Sequence, residues 1–298
     1  MPSLSRRRFI AISAATALAG PAAAAPKRYW SGTALGARAS ITLDHPDAAN
    51  IVTAVLQEID RLEDVFSLYR PGSALSRLNR DGSLDVPPFE LVECLGISDA
   101  VHDATNGAFD PTIQPLWATY AEAYAAGGTV TGPMLEEARS RVGWSRLTVA
   151  PSRIAFARSG MALTLNGIAQ GYVADRVAKM LEAQGLDRIL IDTGEVRALG
   201  GMPSGAPWSV SLPDGGAFSF RDRALATSAP LGTAFDAAET IGHILDPRTG
   251  LPAPATARTV SVTAPTAALA DALSTGLCLL ADAEAKETIG RLQDCRLV

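Results

Sequence analysis

Residues 165–195, near the middle of the chain, read LNGIAQGYVADRVAKMLEAQGLDRILIDTGE. Residues 169–184 are predicted to form a helix, and the apolar run at residues 188–191 is predicted to form a strand. A strand is also expected just before the stretch, at residues 162–165. A polar, glycine-containing turn at residues 192–195 follows the second strand. The centre of the chain is therefore predicted to alternate strand, helix and strand.

The flanking segments mix helices with strands that form hairpins. Residues 46–68 repeat an apolar residue every three or four positions, which is typical of an amphipathic helix. Residues 29–43 contain two short strand-like pieces around glycines, which favour a hairpin. Further helices are expected at 90–104, 134–142 and 265–281, and further strands at 146–149, 154–157, 208–212, 217–220, 241–245 and 259–263. This order indicates an α+β fold with mixed and antiparallel sheets and helical insertions, in which residues 110–145 could form a smaller lobe.

The composition limits the possible function classes. The chain has 298 residues, of which 47% are hydrophobic and 19% are charged, so it can bury a substantial core and is not a disordered chain. Its formal net charge is −5, and no basic block follows residue 8, which argues against nucleic acid as the main partner. Its three cysteines include no Cys-x-x-Cys pair, so a thiolate zinc site or a redox dithiol is not expected.

The first 24 residues have the pattern of an export signal. Arg6 and Arg7 lie in the segment SRRRFI, residues 5–10, which matches the twin-arginine pattern, and an uncharged run and small residues follow. The run is too short to span a bilayer. We expect the twin-arginine translocase to deliver residues 25–298 to the periplasm, with no membrane span after cleavage. An ordinary secretory signal with an additional arginine is the alternative.

Two glycine-containing segments are candidate ligand loops. Residues 105–112 combine an Asn-Gly turn with Asp110 and Thr112, which a tight loop could present to a ligand. Residues 165–172 lead into a helix whose N-terminus favours an anion such as a phosphate. The turn at residues 192–195 follows a strand, where such turns often line a cleft. The alternatives are a helix cap with its loop, close packing of helix and strand, and a solvated hairpin end.

Two further patterns suggest acid–base and metal chemistry. His243 is one of only three histidines and lies in an apolar segment, three residues before Asp246. A histidine can act as a general base near neutral pH, although a lone one is more often structural. Asp271 and Thr275 are four residues apart and share one face of an apolar helix. Their oxygens suit Mg²⁺, and the alternative is a hydrogen-bonded pair without a metal.

In their order along the chain, these segments resemble the FAD:protein FMN transferases of the ApbE family. The resemblance covers nearly all of the mature chain and rests on residues 31–33, 58–79, 107–112, 167–171, 192–195, 226–228, 243–250 and 270–275. Four departures stand out. Ser31 replaces a Met, Gln170 replaces a Lys, Ala229 replaces a Gly, and residues 164–166 lack an acidic residue that the family usually carries.

The resemblance implies an ApbE-like flavin transferase fold and a reaction. FAD would be split at its pyrophosphate, FMN would be attached through a phosphoester to a Thr or Ser of an exported or membrane flavoprotein, and AMP would leave. The family pattern implies that Mg²⁺ is held by Asp271, Thr275 and the backbone carbonyl near Ala169, and that His243 is the catalytic base. The residues that it implies for flavin and adenosine binding are Gly32, Thr33, Asp110, Thr112, Gln170, Gly194, Glu195 and Thr227.

Three hypotheses remain at this point. The first is the transferase, and Asn166, Gln170 and the twin-arginine pattern together resemble a NosX-like branch of accessory proteins for nitrous oxide reductase maturation. The second is a Mg²⁺-dependent FAD hydrolase, in which water replaces the target hydroxyl. The third is a noncatalytic FAD carrier, which the missing lysine at position 170 slightly favours.

Overall fold

A computed structural model of the chain describes residues 28–213, 215–254 and 257–298. The predicted signal at residues 1–24 lies outside these ranges. Within them, none of the helices is long and apolar enough to cross a membrane.

The described strands form three antiparallel sheets. The largest has the strand order β1-β2-β6-β7-β10-β11-β12, and no parallel pair occurs among the described strands. Its strands are β1 Arg28–Ala34, β2 Ala37–Thr42, β6 Ile189–Asp192, β7 Val196–Leu199, β10 Ala224–Ser228, β11 Val260–Ala264 and β12 Arg296–Leu297. The smaller sheets are β3 Ser83–Asp85, β5 Arg153–Phe156 and β4 Leu147–Ala150 in one, and β8 Trp208–Ser211 with β9 Ala217–Phe220 in the other.

Eight helices lie within the described ranges, and together with the sheets they confirm the predicted α+β class. They are α1 Ala48–Phe66, α2 Ala74–Asp81, α3 Phe89–Ala104, α4 Gln114–Ala125, α5 Gly132–Ser140, α6 Ala169–Glu182, α7 Ala267–Leu277 and α8 Asp282–Gly290. The apolar repeat that predicted α1 is buried at Ile51, Val55, Ile59 and Leu62. Helices α2, α4 and α8 were not predicted, because their apolar residues are few or evenly distributed around the helix.

Two predicted strands are wrong. Residues 162–165 form no strand, because their backbone bonds to partners outside any sheet. The Asn79 side chain donates from Nδ2 to Leu163 O at 2.8 Å and accepts at Oδ1 from Leu163 N at 2.7 Å, and Thr164 N donates to Pro111 O. Residues 241–245 form a loop with isolated bridges only, one of which pairs Ala234 with Gly242. Here His243 N donates to Thr233 O within the same loop, so no neighbouring strand is needed.

The α4–α5 segment packs on the loop that carries His243. The ring of Phe235 lies 5.3 Å from that of Trp117 and 5.5 Å from that of Tyr120. The Tyr120 hydroxyl also donates to Gly250 O at 3.1 Å. These residues belong to a small hydrophobic cluster separate from the main core. The smaller lobe proposed for residues 110–145 stays a prediction, but its helices share their packing with residues 229–250.

Close packing between α6 and α7 fixes the position of the second helix. A Cβ on Gly171 would lie 2.2 Å from Ala267 O, so only glycine allows this approach. The Asp175 carboxylate accepts from the backbone N–H groups of Ala267 and Ala268, both at 2.9 Å, and so caps the N-terminus of α7. Arg197 on β7 lies 3.4 Å from the same carboxylate. These contacts hold α7 against the start of α6.

Candidate functional site

A cavity of about 320 Å³ opens where one end of the large sheet meets the N-terminus of α6, helix α7 and two loops. The register explains why the sheet residues meet there, since β6 ends at Asp192 opposite Val196 and the turn at residues 193–195 lies beyond that pair. The predicted site residues that line the cavity are Asp110, Gln170, Glu195, Thr227, His243, Asp271 and Thr275.

Asp271 and Thr275 lie one turn apart on α7, and both line the cavity. The Asp271 carboxylate accepts from the backbone N–H of Gly171 at 3.2 Å, whereas Thr275 Oγ1 lies 3.2 Å from Ser228 Oγ. Asp271 therefore bonds to α6 and Thr275 lies within bonding distance of β10, and the two side chains do not bond to each other. Burial raises the pKa of Asp271 to about 7, the hydrogen bond from Gly171 opposes this shift, and the nearby charge of Asp175 adds to it.

A second buried carboxylate lies near Asp271. Glu195 follows β6, lines the cavity, and accepts a hydrogen bond from Thr227 N at 3.2 Å. Burial raises the pKa of Glu195 well above its usual value, and the charge of Asp271 raises it further. Two acidic groups that both favour the protonated form when buried are suited to binding a cation, because a cation restores their charged forms.

Gln170 and Gly194 are in direct contact. A Cβ on Gly194, which has a φ of +103°, would lie 2.5 Å from Gln170 Oε1, so the turn at this position requires glycine. The backbone carbonyl of Gln170 accepts from Thr193 Oγ1 at 2.9 Å, which ties the turn to the start of α6. Ala169, the first residue of α6, directly precedes the cavity residue Gln170 but does not itself line the cavity.

Asp110 and Thr112 occupy different positions although the sequence suggested one role for both. Asp110 lines the cavity, and burial raises the pKa of its carboxyl group. Thr112 is fully buried beneath it: its hydroxyl donates to Asp110 Oδ1 at 2.7 Å and accepts from Gly143 N at 2.8 Å. Thr112 therefore orients Asp110 in this structure.

His243 is held with one ring nitrogen occupied. Nδ1 lies 3.0 Å from Thr233 O, so this nitrogen carries the proton when the ring is neutral. Burial lowers the pKa of His243, and hydrogen bonds to the carbonyl groups of Thr233 and Pro230 oppose this shift. The neutral ring keeps a lone pair on Nε2, which can accept a proton.

Gly32 and Thr33 do not line the cavity. Gly32 on β1 pairs with Ala39 on β2, and the next residue of β2, Ser40, pairs with Asp192 on β6. Gly32 and Thr33 therefore lie at the same end of the sheet as the turn at 193–195. They are two strands, or about 10 Å, away from that turn. A Cβ on Gly32 would lie 2.2 Å from the Trp30 ring, which gives this glycine a packing role.

Sequence reasoning missed several cavity residues. Trp117 and Ile113 contribute an apolar part of the wall, and Thr233 also lines the cavity. An apolar residue in a helix or a threonine in a loop carries no signal for a ligand site, because both are common in any core or loop. Only the packing of α4 against residues 229–250 brings these side chains to the cavity.

The residues at the cavity fit a hard divalent cation. The Asp271 carboxylate is buried and accepts one long hydrogen bond, and the Thr275 hydroxyl lies on the same helix face. The described residues contain no group of three or more His, Cys, Asp or Glu side chains that could hold a metal. A cation bound here would therefore keep several positions for oxygens of a ligand or water.

The raised pKa of Asp271 predicts a pH-dependent stability. An acid whose folded pKa exceeds its unfolded value holds its proton more tightly when folded, so stability falls as pH rises between the two values. For Asp271 this window runs from 3.8 to about 7. Between about pH 5 and 7 we expect a loss on the order of 2 kcal/mol from this group, or a Tm lower by about 6 °C in EDTA.

Thermal unfolding of Asp271→Asn is the matched control for this prediction. The variant keeps the shape of the side chain but does not titrate, so its Tm should fall less over the same pH range. If the Tm of both proteins fell equally as the pH rose, the loss of stability would come from other groups, such as Glu195.

The fold and the site agree with comparisons to known proteins. The ApbE family matches residues 35–297. The "FAD:protein FMN transferase" of Escherichia coli (strain K12) is 27% identical over 274 residues, which cover 85% of this chain and 78% of the relative. The protein of the same name from Treponema pallidum (strain Nichols) is 30% identical over 260 residues, covering 77% and 72%.

Solved structures share the fold. The apo form of the Pseudomonas stutzeri flavinyl transferase ApbE superposes with a TM-score of 0.77 at 23% identity and covers 90% of this chain and 93% of its own. The ApbE protein of Thermotoga maritima gives a TM-score of 0.75 at 25% identity, covering 88% and 90%. The family match spans most of the sequence and all of the elements that build the cavity, and the chain therefore belongs to the ApbE family.

Proposed function

We propose that this chain is a Mg²⁺-dependent FAD:protein FMN transferase. It attaches FMN through a phosphoester to a Thr or Ser of an exported or membrane flavoprotein and releases AMP. The observation that carries the proposal is the cavity, in which the neutral ring of His243 and the oxygen pair of Asp271 and Thr275 line the same space. The curated relatives that carry this activity in their names support it.

The proposed role of His243 follows from its hydrogen bond. Because Nδ1–H donates to Thr233 O, Nε2 is the nitrogen that takes the proton from the target hydroxyl. The hydroxyl oxygen then bonds to the FMN phosphorus. The bond from that phosphorus to the bridging oxygen breaks, and AMP leaves with the electron pair. The lowered pKa of His243 keeps the ring neutral, as a base requires, at neutral pH.

Asp271 and Thr275 are the residues proposed to hold Mg²⁺, with a backbone carbonyl near Ala169 as a further donor. When bound, the ion neutralises charge on the pyrophosphate of FAD and on the leaving phosphate. The protein's own contribution is to fix both oxygens on one face of α7, which Asp175 caps and Gly171 contacts. This rigidity positions the pyrophosphate relative to His243.

The remaining cavity residues are proposed to bind the two ends of FAD. Asp110, Glu195 and Thr227 offer polar groups for ribityl, ribose or base contacts, and Phe109 and Trp117 offer aromatic surface. Thr112 and Gly194 act through their neighbours Asp110 and Gln170. Gly32 and Thr33 lie at the same end of the sheet and could contact a part of the ligand that extends from the cavity.

The test is an incubation with FAD, Mg²⁺ and an acceptor flavoprotein domain with a target Thr. The transferase predicts AMP release and a covalently fluorescent acceptor in equal amounts. AMP and FMN without acceptor labelling would indicate the hydrolase, and bound FAD without AMP would indicate the carrier. For the target we propose the flavin domain of a membrane electron donor to nitrous oxide reductase, and a direct competition against an unrelated acceptor tests this choice.

Export by the twin-arginine translocase is a separate proposal. The double change Arg6→Lys and Arg7→Lys is expected to leave the precursor in the cytoplasm, because the paired arginines are the feature that this translocase recognises. Cell fractionation measures the result. The matched control is Arg8→Lys, which keeps the pair and should still reach the periplasm. Normal periplasmic accumulation of the double variant would exclude this route.

A further inference from the structure

A short hairpin-like loop holds the His243 ring in place. Residues 233–235 run antiparallel to residues 241–243. Three contacts join the two segments: a bridge between Ala234 and Gly242, a bond from Phe235 N to Ile241 O at 2.8 Å, and a bond from His243 N to Thr233 O at 3.0 Å. The Thr233 carbonyl therefore accepts from both the backbone N–H and the ring Nδ1–H of His243. The orientation of the ring depends on the register of this loop.

Asp236 closes the turn between the two segments. Its carboxylate accepts from the backbone N–H groups of Thr240 and Ile241, at 2.9 Å and 2.8 Å, and from the Thr240 hydroxyl at 2.7 Å. An aspartate that accepts from backbone donors further along the chain stabilises a turn. Because these bonds fix the residue at which the return segment begins, Asp236 sets Ile241 opposite Phe235.

A change of register by one residue would turn the ring away from its acceptor. Side chains alternate between the two faces of an extended segment, so such a slip moves each side chain to the opposite face. It would place Gly242 or Ile244 opposite Thr233 and separate Nδ1 from the Thr233 carbonyl. The neutral ring would then carry its proton on either nitrogen, and a ring that is protonated on Nε2 cannot accept a proton there.

The turn that Asp236 closes lies outside the cavity. Neither Asp236 nor Thr240 lines the cavity, and residues 237–240 are exposed. The ring of Phe235, which precedes Asp236, packs against Trp117 and so holds the first segment on α4. Asp236 ties the return segment to this anchored one. Its effect on the cavity therefore passes through the loop rather than through contact with a ligand.

We infer that Asp236 is a positioning residue for FMN transfer and acts through His243. By closing the turn it holds Thr233 O at Nδ1, which keeps the lone pair of the ring on Nε2. The inference rests on the proposed function, because Nε2 is the nitrogen proposed to take the proton from the acceptor hydroxyl. Loss of the Asp236 carboxylate should therefore slow the chemical step and leave FAD binding unchanged.

Single-turnover FMN transfer to an acceptor domain, measured together with FAD titration of the mature protein, tests the inference. Asp236→Ala should slow transfer about tenfold, because a misplaced base loses part of the 10²–10⁴-fold that a general base contributes. Its affinity for FAD should stay within about twofold of wild type. Asp236→Asn keeps an oxygen that can accept from both backbone N–H groups, so it should transfer within about threefold of wild type.

A double variant separates action through His243 from any other role of Asp236. If Asp236 acts through the ring, Asp236→Ala should cause no further loss in a protein that already carries His243→Ala, because residues that act as a unit are not additive. If the two losses multiply in the double variant, Asp236 acts by another route and the inference is wrong.

Asp222→Ala is the matched control. The Asp222 carboxylate accepts from Gly200 N at 2.6 Å, so it also fixes a loop, but Asp222 does not line the cavity. This variant should transfer at the wild-type rate even if its Tm falls, which separates a loss of loop stability from a displaced base.

The outcomes distinguish this inference from the proposed function. A wild-type transfer rate in Asp236→Ala, with His243→Ala slow, would overturn the inference alone. A parallel loss of FAD affinity in Asp236→Ala, or an Asp236→Asn variant as slow as Asp236→Ala, would also overturn it. A wild-type rate in His243→Ala would overturn the proposed base and, with it, this inference.

Discussion

Asp271→Ala is expected to abolish Mg²⁺-dependent AMP release from FAD. The substitution removes the buried carboxylate of the proposed metal pair while α7 keeps its cap from Asp175 and its contact with Gly171. Mg²⁺ needs close oxygen ligands, and a hydroxyl alone binds it poorly. A Mg²⁺ titration of AMP release, for wild type and variant, measures the effect.

Two further variants, Thr275→Val and Asp187→Ala, serve as comparisons for the Mg²⁺ titration of Asp271→Ala. Thr275→Val keeps the shape of the side chain and removes one oxygen, so it should weaken the use of Mg²⁺ less than Asp271→Ala does. Asp187 is 85% exposed, and its substitution should leave the titration unchanged. If Asp271→Ala retained the wild-type Mg²⁺ dependence, Asp271 would serve only to fix Gly171 and the metal site would be wrong.

His243→Ala is expected to keep FAD binding and to slow transfer to the acceptor by about 10²–10⁴-fold. The ring is the neutral base in the proposed reaction, with Nε2 as the acceptor of the proton. Single-turnover transfer, followed through the fluorescence of the labelled acceptor, measures the chemical step. FAD titration of the same preparation checks that the cavity is intact.

His45→Ala is the matched control, because His45 is exposed and bonds only within its own turn. Transfer by His243→Ala within a few-fold of wild type would place the base elsewhere. Asp246 is the neighbouring candidate, but its carboxylate accepts from Arg248 N and Nε, both at 2.9 Å, and it is paired with the guanidinium. The geometry therefore favours His243 over Asp246 as the base.

Several helices could be predicted from the sequence. Helices α1, α3 and α6 begin and end within about three residues of the expected limits. The strand predicted at 162–165 does not form. The side chain of Asn79, more than 80 residues away in the chain, bonds to the backbone N–H and C=O of Leu163 instead. Local sequence carries no information on such a partner, so an apolar run of this length is ambiguous.

The sequence likewise predicted some residues of the candidate site and not others. The residue types and their order pointed to Asp110, Gln170, Glu195, His243 and Asp271, all of which line the cavity. The sequence grouped Thr112 with Asp110, whereas the structure buries Thr112 as the support of that carboxylate. No feature of the sequence predicted that Trp117 lines the cavity, because the packing of its helix brings it there.

The order of the residues establishes which groups are available: one histidine in an apolar segment, an Asp and a Thr on one helix face, and glycines at positions of close backbone packing. Which of these groups lie together depends on the packing of the folded chain. Gly171 and Asp271 are 100 residues apart and are joined by one hydrogen bond. Glu195 lies close enough to Asp271 for the charge of Asp271 to raise the pKa of Glu195. Such contacts depend on how α6, α7 and the sheet pack, since packing, and not local propensity, fixes distances between residues far apart in the chain.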